Sequence, residues 1–253
     1  MQTSEHEEVP KGKKKSTSEQ AKDQKPKKQK PPTLGLRCTP KSVVAATKAL
    51  HQDTKDVLIN CGFGGLFFLE LTKNFSVQRI VYMMDKCNVT GAGPSFTIVL
   101  PDKEIEVTPE KVKRVFDLPD GTPDGNSKLD MGNWSQKFEE FKEKLFAGGF
   151  TTKKEKVNYE AVISYIKSVN EDKDEQARAW LTIVLAKLLF PTTDINILKQ
   201  HVGMCSDLNW VKTFDWCSYL CQDMRNKIAA WKKKPAQSKV EGCGLLLLVS
   251  EDL

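Results

Sequence analysis

The sequence has no long apolar run, only three histidines and no two cysteines in the Cys-x2-Cys spacing. Each absence removes a class. The longest strongly apolar stretch, Leu245 to Val249, falls far short of the ~20 residues that a membrane-spanning helix needs, so no membrane partner is expected. Structural zinc takes four ligands from tightly spaced Cys and His pairs. Cys217 and Cys221, and likewise His201 and Cys205, stand four apart among apolar neighbours, and such cysteines read as small core residues. No metal site follows. The first 33 residues contain no apolar core of the kind a secretory signal carries. Together with an odd cysteine count of seven, this predicts reduced thiols in an intracellular compartment. The stretch Gly62-Phe63-Gly64-Gly65 lacks the preceding strand and the Lys-Ser/Thr of a phosphate loop. No nucleotide or other cofactor is expected.

What is present divides unevenly. Residues 1–37 carry ten Lys/Arg against five Asp/Glu, while the rest of the chain is nearly balanced at 29 against 28. Only the tail is basic, so the overall charge of +6 says little about the remainder. The tail holds no aromatic residue and is rich in Lys, Gln, Ser and Pro. A segment of that composition buries too little apolar surface to offset its ordering entropy, and it is predicted to be disordered. Its two clusters, Lys13, Lys14 and Lys15, then Lys25, Lys27, Lys28 and Lys30, are a candidate nuclear-localisation signal. The partners they imply are a nuclear import receptor and, weakly and without sequence preference, nucleic-acid phosphates.

Residues 38–253 read as one multi-helical, mainly α domain with a single small β-hairpin. Thr39-Pro40, Ser76 and Thr108-Pro109-Glu110 are helix starts. Asp53 to Asn60 reads as a short helix, and Gly62 to Gly65 as a loop. Phe96, Ile98 and Leu100 alternate with small or polar residues, as do Ile105 and Val107 across a Pro101-Asp102-Lys103 turn, which predicts the hairpin. Trp134, Phe138, Phe141 and Leu145 keep helical spacing, with Glu139, Glu140 and Glu143 on the solvated face. Residues 175–190 are apolar on nearly every side, the mark of a buried central helix that Pro191 ends. Asp194 is expected to cap a short helix reaching His201. Phe214, Cys217, Leu220, Cys221, Met224, Ile228 and Trp231 stripe the longest helix. Lys227 with Lys232–Lys234 is a candidate basic patch, although lysines at a helix end are also explained by its dipole. Residues 240–249 read as a strand or the start of a helix.

Cysteine-protease chemistry needs a thiolate, an imidazole and a group that steers the imidazole. Beyond the tail the histidines are His51 and His201, and neither lies in such a motif. Gln237 stands six residues before Cys243-Gly244, a spacing that resembles the oxyanion Gln and nucleophilic Cys of SUMO-type proteases, but their His-Trp and Asp elements are missing. No catalytic residue is assigned.

Several segments in order carry a wider resemblance. They are Ile105 to Val112 leading to Val115 through Gly121, Leu188-Leu189-Phe190-Pro191-Thr192, Asn209-Trp210, Asp215-Trp216-Cys217, and Val240-Glu241-Gly242-Cys243 before Leu245-Leu246-Leu247. Over residues 38–250 the chain resembles the plant mobile domain, a helical module of transposon-derived plant proteins that also precedes SUMO-protease-like catalytic domains. The resemblance implies a non-enzymatic nuclear interaction or scaffold module of mobile-element origin, with its protein partner unnamed. It leaves two alternatives, the truncated N-terminal region of a SUMO-type cysteine protease and a DNA-binding protein.

Overall fold

The computed structural model describes residues 35–68, 76–121, 133–234 and 239–251. The predicted disorder of the tail and its seven candidate lysines lie outside the described residues, as does Gln237. Pairing begins at Gly35, where β1 (Gly35–Leu36) runs parallel to β5 (Lys239–Val240).

The first half alternates short helices with a small sheet: α1 (Pro40–Thr47), α2 (Gln52–Asn60), α3 (Val77–Lys86), β2 (Cys87–Asn88), β3 (Phe96–Val99), β4 (Glu104–Val107) and α4 (Pro109–Phe116). The Ser76 and Thr108 hydroxyls accept the Arg79 and Lys111 amides, each at 3.3 Å, and so cap α3 and α4. Thr39 behaves otherwise: α1 starts at Pro40, but the Thr39 side chain makes no capping bond. The predicted hairpin is there, with Ile98 opposite Ile105, and β2 adds a third antiparallel strand beside β3. That strand was unreadable because it is two residues long and holds Cys87-Asn88. Arg225 fixes the connection to β3 by donating to the carbonyls of Val89, Gly91 and Gly93. The expected glycine loop is instead a 3-10 turn, Gly64–Phe68. Gly65 is required there, because a Cβ would stand 2.6 Å from the Phe116 carbonyl oxygen.

The second half is helical: α5 (Trp134–Ala147), α6 (Tyr159–Ser168), α7 (Lys173–Val184), α8 (Lys199–Met204), α9 (Leu208–Thr213), α10 (Trp216–Lys233) and α11 (Gly244–Glu251). The segment 240–249 thus contributes both a strand end and a helix. Helix α7 is the buried centre, touching α1, α2, α6 and α8. Its buried Gln176 and Trp180 each tie down a neighbouring element, as burial demands of polar groups. Gln176 Oε1 accepts the His51 amide at 2.9 Å and the Thr54 hydroxyl at 2.6 Å, and its Nε2 donates to the Ile166 carbonyl at 2.8 Å. Trp180 Nε1 donates to the Thr47 hydroxyl at 3.0 Å. After Val184 the helix widens into a π-helical turn, Leu185–Leu189, closed by the Phe190 amide on the Leu185 carbonyl at 2.8 Å. Pro191, which has no N–H, ends it.

Asp194 does not cap a helix. Its carboxylate accepts the Asn196 amide and side chain, and α8 starts only at Lys199. The competing bond is a local Asx turn, which such short side chains favour. At α8 it is His201 Nδ1 that accepts an orphan amide, that of Leu198, at 3.2 Å.

Helix α8 packs closely on α5 because residue 203 is glycine: a Cβ there would stand 2.3 Å from Cγ and Cδ1 of the Trp134 ring. Those atoms lie at the root of a bulky ring and cannot swing aside as a flexible chain end would. Gly203→Ala is therefore expected to lower the unfolding free energy by about 1–3 kcal/mol, read as a lower urea midpoint at unchanged slope. An unchanged midpoint would show that α5 shifts freely on α8.

Candidate functional site

All seven cysteines are buried. Most are explained by the core, with thiols directed at backbone carbonyls: Cys38 at Leu188, Cys61 at Leu208, Cys87 at Met83, Cys217 at Leu118 and Cys221 at Val107. Burial pushes the Cys87, Cys217 and Cys221 thiols up to about 12, away from thiolate chemistry. Cys243 is fully enclosed at the start of α11, with Cys38 beside it. His201 is also enclosed: Nδ1 serves α8, and Nε2 has no hydrogen-bond partner. Burial draws its pKa down to about 4, with Lys227 and Lys187 adding to the shift and the nearby Phe190 carbonyl opposing it. No group of three or more His, Cys, Asp or Glu is arranged to hold a metal among the described residues, and no described helix is long and apolar enough to cross a membrane.

The candidate basic patch is divided. Lys227 turns inward, its ammonium 2.7 Å from Asp223 and 3.2 Å from the Pro191 carbonyl, while Lys232 bonds the Asp85 carbonyl at 2.9 Å. Glu139, Glu140 and Glu143 are exposed, as their spacing predicts.

Three features remain with chemistry to offer. The first is the Glu175 carboxylate at the floor of a cleft between α5, α7 and α8. It accepts the Tyr165 hydroxyl at 2.8 Å, Lys144 at 2.8 Å and Arg178 at 3.1 Å. Burial alone would raise this carboxyl; its three donors outweigh burial and hold it below the usual carboxylate range. The carboxylate is fully engaged, so the arrangement is a strut joining α5, α6 and α7.

The second is an aromatic ledge. Trp210 stacks on Phe214 at 4.4 Å, and Tyr219 meets Phe214 at 5.4 Å and Phe190 at 5.1 Å. Below it lies Trp216, 1% exposed, while Tyr219 is 43% exposed. Segments far apart in sequence build it. The Pro119 carbonyl accepts the amides of Trp216 at 3.1 Å and Cys217 at 3.3 Å, and the Pro191 carbonyl accepts that of Gly242 at 3.1 Å.

The third is a cavity of about 270 Å³ between the start of α1, the start of α6 and residues 194–196. Lys187 reaches it from the π-helical turn, and turns of this type occur often at functional sites. The lysine is 7% exposed. Its ammonium donates to the Ile195 carbonyl and lies 5.1 Å from the centre of the Tyr159 ring. Burial lowers its pKa, Glu160 and Asp194 oppose the shift, and Arg37 reinforces it. Sequence reasoning missed this site. A lone lysine in an apolar run was the only signal, and it was absorbed into the reading of residues 175–190 as core.

These features define a mainly α domain with a small mixed complement of strands and a polar cavity set against its central helix. Residues 36–248 match the family described as a domain of unknown function, DUF8566, and the chain belongs to that family. No curated protein and no solved structure matches it.

Proposed function

We propose that this chain is a non-enzymatic nuclear interaction or scaffold module of mobile-element origin, whose domain meets a protein partner and whose basic tail meets the import receptor. The observation that carries the domain half is the aromatic ledge. Tyr and Trp held half-exposed on a rigid base lose little entropy on contact, and they recur among the residues that dominate interface energetics. The origin is supported by the ordered segments quoted above, from Ile105–Gly121 to Val240–Leu247. The tail half rests on Lys13–Lys15 and Lys25–Lys30, which can also touch nucleic-acid phosphates through charge alone.

Two measurements test this. Fused to a reporter too large to diffuse through nuclear pores, the full chain is expected to concentrate in nuclei. Changing Lys13, Lys14, Lys15, Lys25, Lys27, Lys28 and Lys30 to Gln is expected to return it to the distribution of the bare reporter. Equal nuclear signal from both would refute the tail reading. For the ledge, proximity labelling by the wild-type chain is compared with that by a folded Tyr219→Glu variant. A labelled set that does not change would refute the interface.

A further inference from the structure

We propose that the cavity beside Lys187 is a binding site for a small organic anion carrying one carboxylate or phosphate head. Arg37 lines the cavity, and its Nε is enclosed with no hydrogen-bond acceptor. A buried guanidinium nitrogen left without a partner is costly, and an acceptor supplied from outside removes that cost. Lys187 uses one ammonium proton on the Ile195 carbonyl, leaving two others for a ligand. Asn158 commits its side-chain oxygen to the Ala161 amide at 2.8 Å, so its NH₂ is the group left to face a ligand. The Thr39 hydroxyl oxygen accepts the Ser42 hydroxyl at 3.5 Å and makes no capping bond to α1.

The cavity's own carboxylates do not fill this role. Asp194 is engaged by the Asn196 amide at 3.0 Å, the Asn196 side chain at 2.7 Å and Lys156 at 3.5 Å. Glu160 lies in the first turn of α6, where the positive end of the helix favours it. At the outer edge Lys156 and Lys239 add positive charge and would draw an anion inward. One cation with a planar fork and a second with a point charge, converging on the same space, is the donor set that oxyanions take. The volume exceeds that of a bare oxyanion. With Leu36, Tyr159 and Ile195 also lining it, it leaves room for a short apolar body.

The test uses the full chain labelled with ¹⁵N and titrated with methyl phosphate or with acetate, at constant ionic strength against sodium chloride. The Arg37 Nε–H resonance, assigned by its loss in Arg37→Gln, is expected to move downfield and saturate with at least one of the two. Whichever saturates identifies the head group. Lys187→Met removes a buried charge without adding volume, so it is expected to stay folded and to bind about tenfold more weakly. A shift that stays linear and matches chloride for both compounds would overturn the proposal. So would saturable binding of equal strength in Lys187→Met.

Discussion

Trp216→Ala is expected to cost about 3–5 kcal/mol of folding stability. Trp216 is the hub of the aromatic cluster. Its ring meets Phe214 at 5.0 Å, Phe63 at 5.6 Å, Trp210 at 5.7 Å and Phe190 at 6.1 Å. The first three contacts are edge-on, a geometry that adds to plain burial. Its Nε1 also donates to the Val211 carbonyl at 2.7 Å, so alanine leaves both a cavity and an unmatched acceptor. Folded domains hold only about 5–15 kcal/mol in total, so this one change removes a large share. Equilibrium unfolding in urea reads it directly. Trp216→Phe keeps most of the apolar volume and is expected to lose roughly half as much. A truncation costing under about 1 kcal/mol would mean that the cluster relaxes around the hole.

The second large effect is acid sensitivity centred on His201. The folded protein holds this imidazole neutral down to about pH 4, whereas in the unfolded chain it titrates near 6.5. As pH falls from 6.5 to 4, the unfolded state takes up a proton that the folded state refuses. Stability is therefore fully present above about pH 7 and declines through that window, by about 3 kcal/mol in all. Asp223 acts in the opposite sense, since burial raises its carboxyl. Glu175, with its carboxyl lowered, loses its contribution only at more acid pH, below the unfolded carboxylate value. The measurement that isolates the imidazole is thus a difference. Urea midpoints between pH 7.5 and 4.5 are compared for wild type and His201→Asn, whose side-chain oxygen can still accept the Leu198 amide. The variant is expected to show a flatter pH dependence. Parallel curves would assign the acid lability to other groups.

How far the residue string foretells this architecture depends on the range of the forces involved. The starts of α3 and α4 were legible because Ser76 and Thr108 bond amides three residues on. The β3–β4 hairpin was legible because Phe96, Ile98, Ile105 and Val107 alternate across a short turn. The central position of α7 was legible because almost no polar face remains between Glu175 and Leu189. Asp194 misled because two local bonds competed for one carboxylate, and the Asx turn to Asn196 won over a helix cap. Strand β2 was hidden because its neighbour, not its own composition, makes it a strand. The candidate lysine of the cavity was hidden because a single cation inside an apolar run has no local signature.

By its own pattern the chain determined a basic tail, a mainly helical domain, the central helix and the interior placing of its cysteines. These follow from charge counts and from spacings of three, four or two residues, which act within one turn or one strand. Tertiary structure alone decided that Lys187 and Arg37 share a cavity, that Lys227 reaches the Pro191 carbonyl, and that Trp216 gathers Phe63 and Phe190 about it. Those pairings join residues as much as about 150 positions apart, and they exist only once burial of apolar surface has brought the helices together.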